Sequence, residues 1–294
     1  MGLKIACIGE AMIEFAATYA PQQLGVAGDA LNTAVYLRRA LPAAHSVSFV
    51  SALGCDPLSN QIADFITAEN ITPVLERHPS RLPGLYAIHT DKHGERAFYF
   101  WRENSAARTM FANGFAALSG FDVIHLSAIT LAILPQTGRQ NLLAWLQAWP
   151  GLVSFDSNYR PTLWHSRAEA QASIRAGFEI CDIALPSLDD EMALFGDKTE
   201  AEALARLRGY GLNRGALKRG SRGPLDLGGH APQSYPPAPR VVDTTAAGDS
   251  FNAGYMACLL TGGTAASAMM AGHMNAIEVI AHKGAIIPHK KRAP

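Results

Sequence analysis

Short apolar runs alternate with helical patterns along most of the chain, and this alternation constrains the fold more than any other feature. Strands that alternate with helices predict an α/β fold, with a mostly parallel central sheet and helices on both faces. Six runs have the character of buried strands: KIACIG (4–9), VSFVSALG (47–54), FDVIHLSAI (121–129), LVSFDSN (152–158), CDIALPS (181–187) and GALKRG (215–220). Helical patterns occupy stretches between them: 29–40, 57–69, 135–149, 166–179, 188–195 and 199–209.

Two segments, 11–27 and 73–102, depart from this rhythm because β-like runs follow one another with no helix between them. The runs are EFAATYA, PVLERH, GLYAIHT and RAFYFW, with turns such as TDKHGE between them. They predict a small antiparallel β-sheet lid, built from two insertions, over the strand ends. The remaining segments, 1–10, 28–72 and 103–294, are predicted to form the main α/β domain, whose strand ends should hold the ligand site.

The charge balance excludes several classes of partner. The 294 residues contain 25 lysines and arginines and 25 aspartates and glutamates, so we expect neither nucleic-acid nor membrane binding. No apolar run approaches the ~18 residues that span a bilayer, and the first residues turn acidic too early for a signal peptide. We therefore expect a cytoplasmic protein that acts on small molecules.

The stretch VVDTTAAGDSFNAGYM (241–256) places small residues and an aspartate where an apolar helix begins. The first amide groups of a helix are unpaired and carry partial positive charge. Small side chains at Ala246, Ala247 and Gly248 allow an anion to approach those amides, which predicts an anion hole. Asp249 either caps the helix or acts as the base that removes a hydroxyl proton during phosphoryl transfer.

Three segments carry a resemblance to a known family. DTTAAGDSFNAGYM (243–256), AGDALNTAVYL (27–37) and ALGCD (52–56) resemble the signatures of the ribokinase family of sugar kinases, although Ala246 replaces a glycine of that pattern. The resemblance implies a ribokinase-like fold with ATP and Mg²⁺ as cofactors. It also implies that Asp249 is the catalytic base, at the end of the anion hole. Gly28, Asp29 and Asn32 would then bind sugar hydroxyls.

Several further residues match the nucleotide side of the same family. Ser187 and Asp190 in PSLDDEMALFG correspond to a motif that holds magnesium through water, although capping of a helix by Ser187 would explain the same letters. Lys218 either neutralises phosphate charge or is an ordinary solvated lysine. The full set expected to bind nucleotide is Ser187, Lys218, Gly220, Gly223, Asn275 and Gly284, with Ala285 as part of a flat apolar surface beside adenine. A position on the surface of a helix would explain Asn275 as well.

The substrate is predicted from two arginines. Arg102 ends a lid strand and Arg160 follows a main-sheet strand in DSNYRP, and two guanidinium groups suit a carboxylate. Turn chemistry is the alternative explanation for DSNYRP. The segments IGEAMIEF, RLPGLY, GERAFYFWR, NYRPTLW and GAIIP resemble family members that phosphorylate the C6 hydroxyl of 2-dehydro-3-deoxy-D-gluconate, and in those Tyr86 would also bind sugar. Phe100 departs from them, since a tyrosine is frequent there.

Two other functions stay open at this point. A kinase of the same family for a neutral sugar such as fructose would not need the arginine pair. A non-catalytic sugar or nucleotide sensor on the same fold would not need Asp249. The antiparallel lid, if one of its faces is exposed, predicts a homo-oligomer that pairs through the lid.

Overall fold

The computed structural model describes residues 2–16, 24–90, 96–229 and 233–289. The strands are β1 (Lys4–Ile8), β2 (Met12–Ala16), β3 (Leu24–Ala27), β4 (Ser46–Leu53), β5 (Thr72–Arg77), β6 (Gly84–Thr90), β7 (Arg96–Trp101), β8 (Val123–Ser127), β9 (Leu152–Asp156), β10 (Ile183–Ala184), β11 (Ala216–Leu217) and β12 (Leu225–Asp226). The helices are α1 (Asp29–Ala40), α2 (Pro57–Ala68), α3 (Ala128–Ile133), α4 (Gln136–Ala148), α5 (Arg167–Ile180), α6 (Leu188–Phe195), α7 (Glu200–Gly209), α8 (Ala247–Leu260) and α9 (Ala265–Val279).

A six-stranded sheet in the order β10-β9-β8-β1-β4-β5 forms the centre, and all of its strand pairs are parallel. Strand β1 shows why its sequence is apolar throughout: Ile5 and Cys7 face one hydrophobic core, whereas Ala6 and Ile8 face the other. Helices α3–α7 cover one face of the sheet, and α1, α2, α8 and α9 cover the other. The predicted α/β fold class is confirmed.

A second sheet of four strands, in the order β3-β2-β6-β7, lies between elements of the main domain in the chain. The prediction of an antiparallel sheet was wrong in one pair, because β2 runs parallel to β6. Strand β2 follows β1 and strand β6 follows β5, and both β1 and β5 belong to the parallel main sheet. The chain therefore leaves the main sheet at the same edge before each of the two strands, which favours their parallel pairing. The predicted turn TDKHGE and the second half of EFAATYA lie largely outside the described residues.

The segment PVLERH was also assigned to the wrong sheet. Residues Thr72–Arg77 form β5, which pairs with β4 in parallel register at the edge of the main sheet. The second excursion from the main domain therefore begins after Arg77, not at residue 73. As an edge strand, β5 is only half-buried, so its sequence mixes polar and apolar residues. Such a sequence resembles that of a strand in a small, exposed sheet.

The helices and the last predicted strand differ less from the sequence-based predictions. Helix α6 has the predicted bounds, but α3 occupies the end of FDVIHLSAI, which was predicted as strand. A continuous apolar run does not distinguish a buried strand from a buried helix. Of GALKRG, only Ala216–Leu217 is strand, paired with β12 and bridged to the main-sheet edge at Ala184 and Ser187. Across the described ranges, the search found no helix that is both long and apolar enough to cross a membrane.

Candidate functional site

The start of α8 holds Asp249 at the edge of the main sheet. Ala246 precedes the helix in a left-handed conformation, with φ of 61°, which turns the chain into the first helical turn. The amide of Ala247 is bonded to the carbonyl of Thr244. In the described part of the chain, the amides of Ala246, Gly248 and Asp249 have no hydrogen-bond partner. The anion hole predicted at 246–248 thus loses one donor and gains another from Asp249.

The carboxylate of Asp249 is oriented by α1. Asn32 Nδ2 donates to Asp249 Oδ2 at 2.8 Å, and Thr33 Oγ1 donates to its backbone carbonyl at 3.3 Å. Burial of the carboxyl group, followed by the charge of Asp29, raises the pKa of Asp249 to about 7, although the residue is partly exposed to the cleft. An aspartate with a pKa near neutrality is well matched to accept a proton from a hydroxyl.

Asp29 lies at the first position of α1, where the preceding Gly28 approaches the main chain closely. A Cβ on Gly28 would lie 2.1 Å from the carbonyl oxygen of Glu10, so no other residue fits there. Ser127 Oγ and Asn158 Nδ2 both donate to Asp29 Oδ2, from the ends of β8 and β9. The predicted sugar residues Asp29 and Asn32 are therefore brought together with Asp249.

Lys218 is held in a buried network beside the start of α8. Its Nζ donates to Asp156 Oδ2 at 2.6 Å and to Asn252 Oδ1 at 3.1 Å, and Asn252 Nδ2 also donates to Asp156 at 2.6 Å. Burial would raise the pKa of Asp156, but the charge of Lys218 and these hydrogen bonds bring it below its ordinary value. A Cβ on Gly248 would lie 3.5 Å from Lys218 Nζ, so the ammonium group borders the anion hole. The alternative of a solvated lysine is wrong.

Helix α6 presents Asp190 to the same edge. Asp190 accepts a hydrogen bond from the Tyr159 amide at 3.2 Å and lies 3.6 Å from Arg160 Nη1. Burial raises the pKa of Asp190, and the charge of Asp156 also contributes. Ser187 stands at the N-cap but makes no capping bond with its side chain, so capping does not explain this serine.

The donor set suits a water-bound magnesium ion better than a directly ligated one. In the described ranges, no three histidine, cysteine, aspartate or glutamate side chains form a metal-binding cluster. Mg²⁺ keeps several waters and is often held through one or two carboxylates and substrate phosphates. Asp190 and Asp156, whose charge contributes to the raised pKa of Asp190, offer the two carboxylates for that mode of binding.

The two residues predicted to lie on a lid, Arg102 and Tyr86, both have acidic partners. Arg102, which is 7% exposed, forms an ion pair with Glu10, and Tyr86 donates its hydroxyl to Glu14. Burial raises the pKa of Tyr86, and the charges of Glu14 and Asp249 add to this effect. The small sheet lies close to the start of α8, because Ala246 packs against the cluster that contains Met12 and Tyr86. Arg160, by contrast, is half-exposed, and its contacts are Asp190 and the Tyr159 carbonyl.

The remaining residues predicted to bind nucleotide, Gly220, Gly223, Asn275 and Gly284, have no hydrogen bond to Asp249 among the described residues. Gly284 donates its amide to Asp243 at 2.6 Å, and Asn275 donates to the Ser250 carbonyl at 2.7 Å. Gly220 begins a 3₁₀ turn and Gly223 follows it, and both have positive φ.

One expectation about the adenine side is wrong. Ala285 is 3% exposed and packs against the small sheet, so it offers no flat surface to a ligand. A groove of about 640 Å³ between α8 and α9 contains Asn275 but none of the residues around Asp249.

Sequence reasoning missed four polar residues of the site: Glu10, Glu14, Ser127 and Asn252. Glu10 is 1% exposed and also accepts a hydrogen bond from Ser105. An acidic residue directly after a buried strand was the available signal for Glu10. Ser127 and Asn252 have partners far away in the chain, and nothing in their local sequence indicates those partners.

Comparison with known proteins places these features in a family. Residues 3–292 match the model of the pfkB family of carbohydrate kinases. The chain is 44% identical to the 2-dehydro-3-deoxygluconokinase of Escherichia coli K12, over 99% of both chains. It is also 44% identical to the enzyme of that name from Dickeya dadantii, over 97% of both chains. A fructokinase structure from Vibrio cholerae O395, with fructose, ADP and calcium bound, has a TM-score of 0.83 at 21% identity, covering 96% of this chain and 94% of its own.

Proposed function

This chain belongs to the pfkB family of carbohydrate kinases, and we propose that it transfers the γ-phosphoryl group of ATP to the C6 hydroxyl of 2-dehydro-3-deoxy-D-gluconate. The observation that carries the proposal is the 44% identity, over nearly the full length of both chains, to relatives named for that activity. The geometry around Asp249 supports the reaction class, and the two arginines support an acidic substrate.

Asp249 is the proposed base. Its carboxylate takes the proton of the C6 hydroxyl while that oxygen forms a bond to the γ-phosphorus and the bond from phosphorus to the ADP oxygen breaks. The amides of Ala246, Gly248 and Asp249 would donate to the oxygens of the transferring group, and Lys218 would neutralise part of its charge. Asn32 holds the carboxylate in place for this transfer.

The nucleotide and its metal are assigned by position. We infer that Ser187, Lys218, Gly220, Gly223, Asn275 and Gly284 contribute to the ATP side. Asp190 and Asp156 would hold Mg²⁺ through water, and the bound ion would neutralise charge on the phosphates.

Arg102 and Arg160 are the proposed carboxylate ligands, with Tyr86 beside them. Nε of Arg102 has no hydrogen-bond partner in the described ranges, although its side chain is buried. A buried donor without a partner is costly, and a substrate carboxylate would satisfy it. Glu10 and Asp190 keep the two guanidinium groups in place without a substrate.

The small sheet is the proposed lid and the proposed dimer surface. Strand β7 is an edge strand, and its aromatic residues are unusually exposed: Phe98, Tyr99, Phe100 and Trp101, at 41%, 54%, 46% and 59%. An open edge with such side chains favours pairing with a second copy of the chain. Sedimentation of wild type and Trp101→Lys tests this, since the substitution should shift a dimer to monomers.

The experiment that tests the function is a coupled assay of ADP release with Mg²⁺-ATP. It compares 2-dehydro-3-deoxy-D-gluconate with fructose, ribose and adenosine. Strong preference for the keto acid is the expected result. Preference for fructose would keep the kinase and contradict the carboxylate ligands, and absence of sugar-dependent turnover with all four would favour a sensor.

A further inference from the structure

The carboxylate of Asp29 has two oxygens in different situations. Oδ2 accepts hydrogen bonds from Ser127 Oγ and from Asn158 Nδ2, the latter at 3.2 Å. Oδ1 has no hydrogen-bond partner in the described part of the chain, and the residue is partly exposed. The protein thus satisfies one oxygen and leaves the other open.

We propose that Ser127 and Asn158 are positioning residues that leave Asp29 Oδ1 as the single carboxylate oxygen available to a substrate hydroxyl. This inference rests on the proposed function, in which Asp29 contacts the sugar. It goes beyond it by naming the side chains that orient Asp29 and by limiting Asp29 to one acceptor oxygen.

The Ser127 hydroxyl has a fixed orientation because it both donates and accepts a hydrogen bond within the protein. Its oxygen accepts a hydrogen bond from the Ile129 amide at 3.1 Å, at the start of α3, while its proton goes to Asp29. The side chain is buried between the end of β8 and the helices that cover the sheet. It can therefore not rotate to serve the substrate directly.

Asn158 reaches Asp29 from an unusual backbone conformation. Its φ is 20°, which few residues other than glycine adopt, and its amide donates to Asp156 Oδ1 at 3.0 Å. Asparagine tolerates positive φ better than most residues. The turn after β9 thus carries strain in a conformation that brings Nδ2 to Asp29.

The test is calorimetric titration of 2-dehydro-3-deoxy-D-gluconate into wild type and Ser127→Ala. We expect the dissociation constant to rise about tenfold, as for loss of one charge-assisted hydrogen bond. Ser127→Thr retains the hydroxyl and should recover most of the affinity. The dissociation constant of an ATP analogue should not change in either variant.

Ser59→Ala is the matched control. Ser59 is also buried, donates to the carboxylate of Asp56 at 2.7 Å and accepts from the Gly54 amide at 2.8 Å. Both alanine variants should lose stability, but only Ser127→Ala should lose sugar affinity. Equal loss of affinity in the two would overturn the inference.

A double-mutant cycle separates positioning from general damage. In an Asp29→Ala background, Ser127→Ala should change sugar affinity less than twofold, because no carboxylate remains to orient. The same tenfold loss in that background would show a merely structural role. Unchanged sugar affinity in the Ser127→Ala single variant would overturn this inference but leave the proposed function standing. A wild-type protein that does not bind the keto acid would overturn both the inference and the proposed function.

Discussion

The edge of the main sheet and the small sheet present polar groups to the site in different ways. At the main edge, the buried Asp156 and the largely buried Lys218 form hydrogen bonds with each other and with α8. In the small sheet, Arg102 has one acidic partner and an unsatisfied Nε, and the aromatic residues of β7 are largely exposed. The network of Asp156, Lys218 and Asn252 is satisfied without ligands, whereas the guanidinium group of Arg102 keeps an unused donor.

This difference matches what each region has to do. Charge that develops during transfer is stabilised best by groups already held in place, because they need no reorganisation. A lid that closes over a substrate must instead gain contacts when it closes. We therefore expect changes to Asp249 and Lys218 at the main edge to lower kcat, and changes to Arg102 in the small sheet to raise KM for the sugar.

Asp249→Asn should have the largest effect and sharpen the comparison at the main edge. Loss of the base should lower kcat by about 10³-fold, within the range for general base catalysis, with little change in either KM. The melting temperature should be no lower than that of wild type, because a buried carboxyl group is replaced by a neutral amide of the same shape. Asp64→Asn, at an exposed position on α2, is the control for charge change. Turnover like that of wild type would disprove the base assignment.

Lys218→Met should affect catalysis and stability together. We expect kcat to fall by about 10²-fold through the lost phosphate charge, and unfolding free energy to fall by about 3 kcal/mol, because Asp156 stays buried without its cation. Asp156→Asn added to Lys218→Met should recover much of the stability but not the activity. Urea denaturation and steady-state kinetics on the three proteins measure both effects. If the double variant recovers turnover as well, Lys218 does not act on phosphate.

Arg102→Leu tests the small sheet. The KM for the keto acid should rise by about 30- to 100-fold, while the KM for ATP stays unchanged, because only the carboxylate loses a charged partner. The substitution also leaves Glu10 buried without a cation, so Glu10→Gln/Arg102→Leu should be made beside it. Arg139→Leu breaks an ion pair of another buried arginine, whose guanidinium lies 2.6 Å from the partly exposed Glu169, among helices α4 and α5, and serves as the control. An equal rise in KM for that control would remove the assignment.

The comparison also shows which parts of the molecule the sequence could predict. The small residues and the aspartate at the start of α8 form a local sequence signal, and so do the caps and the helical periodicity that define the bounds of α6. Each of these signals lies within a few residues of the feature that it predicts. The partners of Arg102 and Asp29 are not local: Glu10 lies 92 positions before Arg102, and Ser127 lies 98 positions after Asp29. The burial of Ala285 depends on how the small sheet packs, which no nearby residue reveals.

The pH dependence of kcat/KM should show two shifts of opposite sign. Asp249 must be ionised to act as base, so the rate should rise as pH increases through about 7, the pKa of that carboxyl group. The charge of Asp29 contributes to raising this pKa and that of Lys218 opposes it. Asp29→Asn should therefore move the acidic limb to lower pH, and Lys218→Met should move it to higher pH. If the acidic limb shifts in the same direction in both variants, a group other than Asp249 titrates.

Ala246→Gly should have the smallest effect, and it tests how rigidly the main edge is built. Alanine in a left-handed conformation destabilises the folded state by about 1–2 kcal/mol, and glycine removes this strain. Glycine also lowers the free energy of unfolding by about 0.4–1 kcal/mol, because it gives the unfolded chain more conformational freedom. We expect a net gain of at most about 1.6 kcal/mol in urea denaturation, with kcat within twofold, because the same φ of 61° still directs the amides. Asn70→Gly, at a φ of 57° after α2, is the control, and its gain should be smaller because asparagine tolerates that conformation better. A large fall in kcat for Ala246→Gly would mean that the methyl group itself fixes the anion hole, and the main edge would then owe its geometry to packing at residue 246 and not to hydrogen bonds.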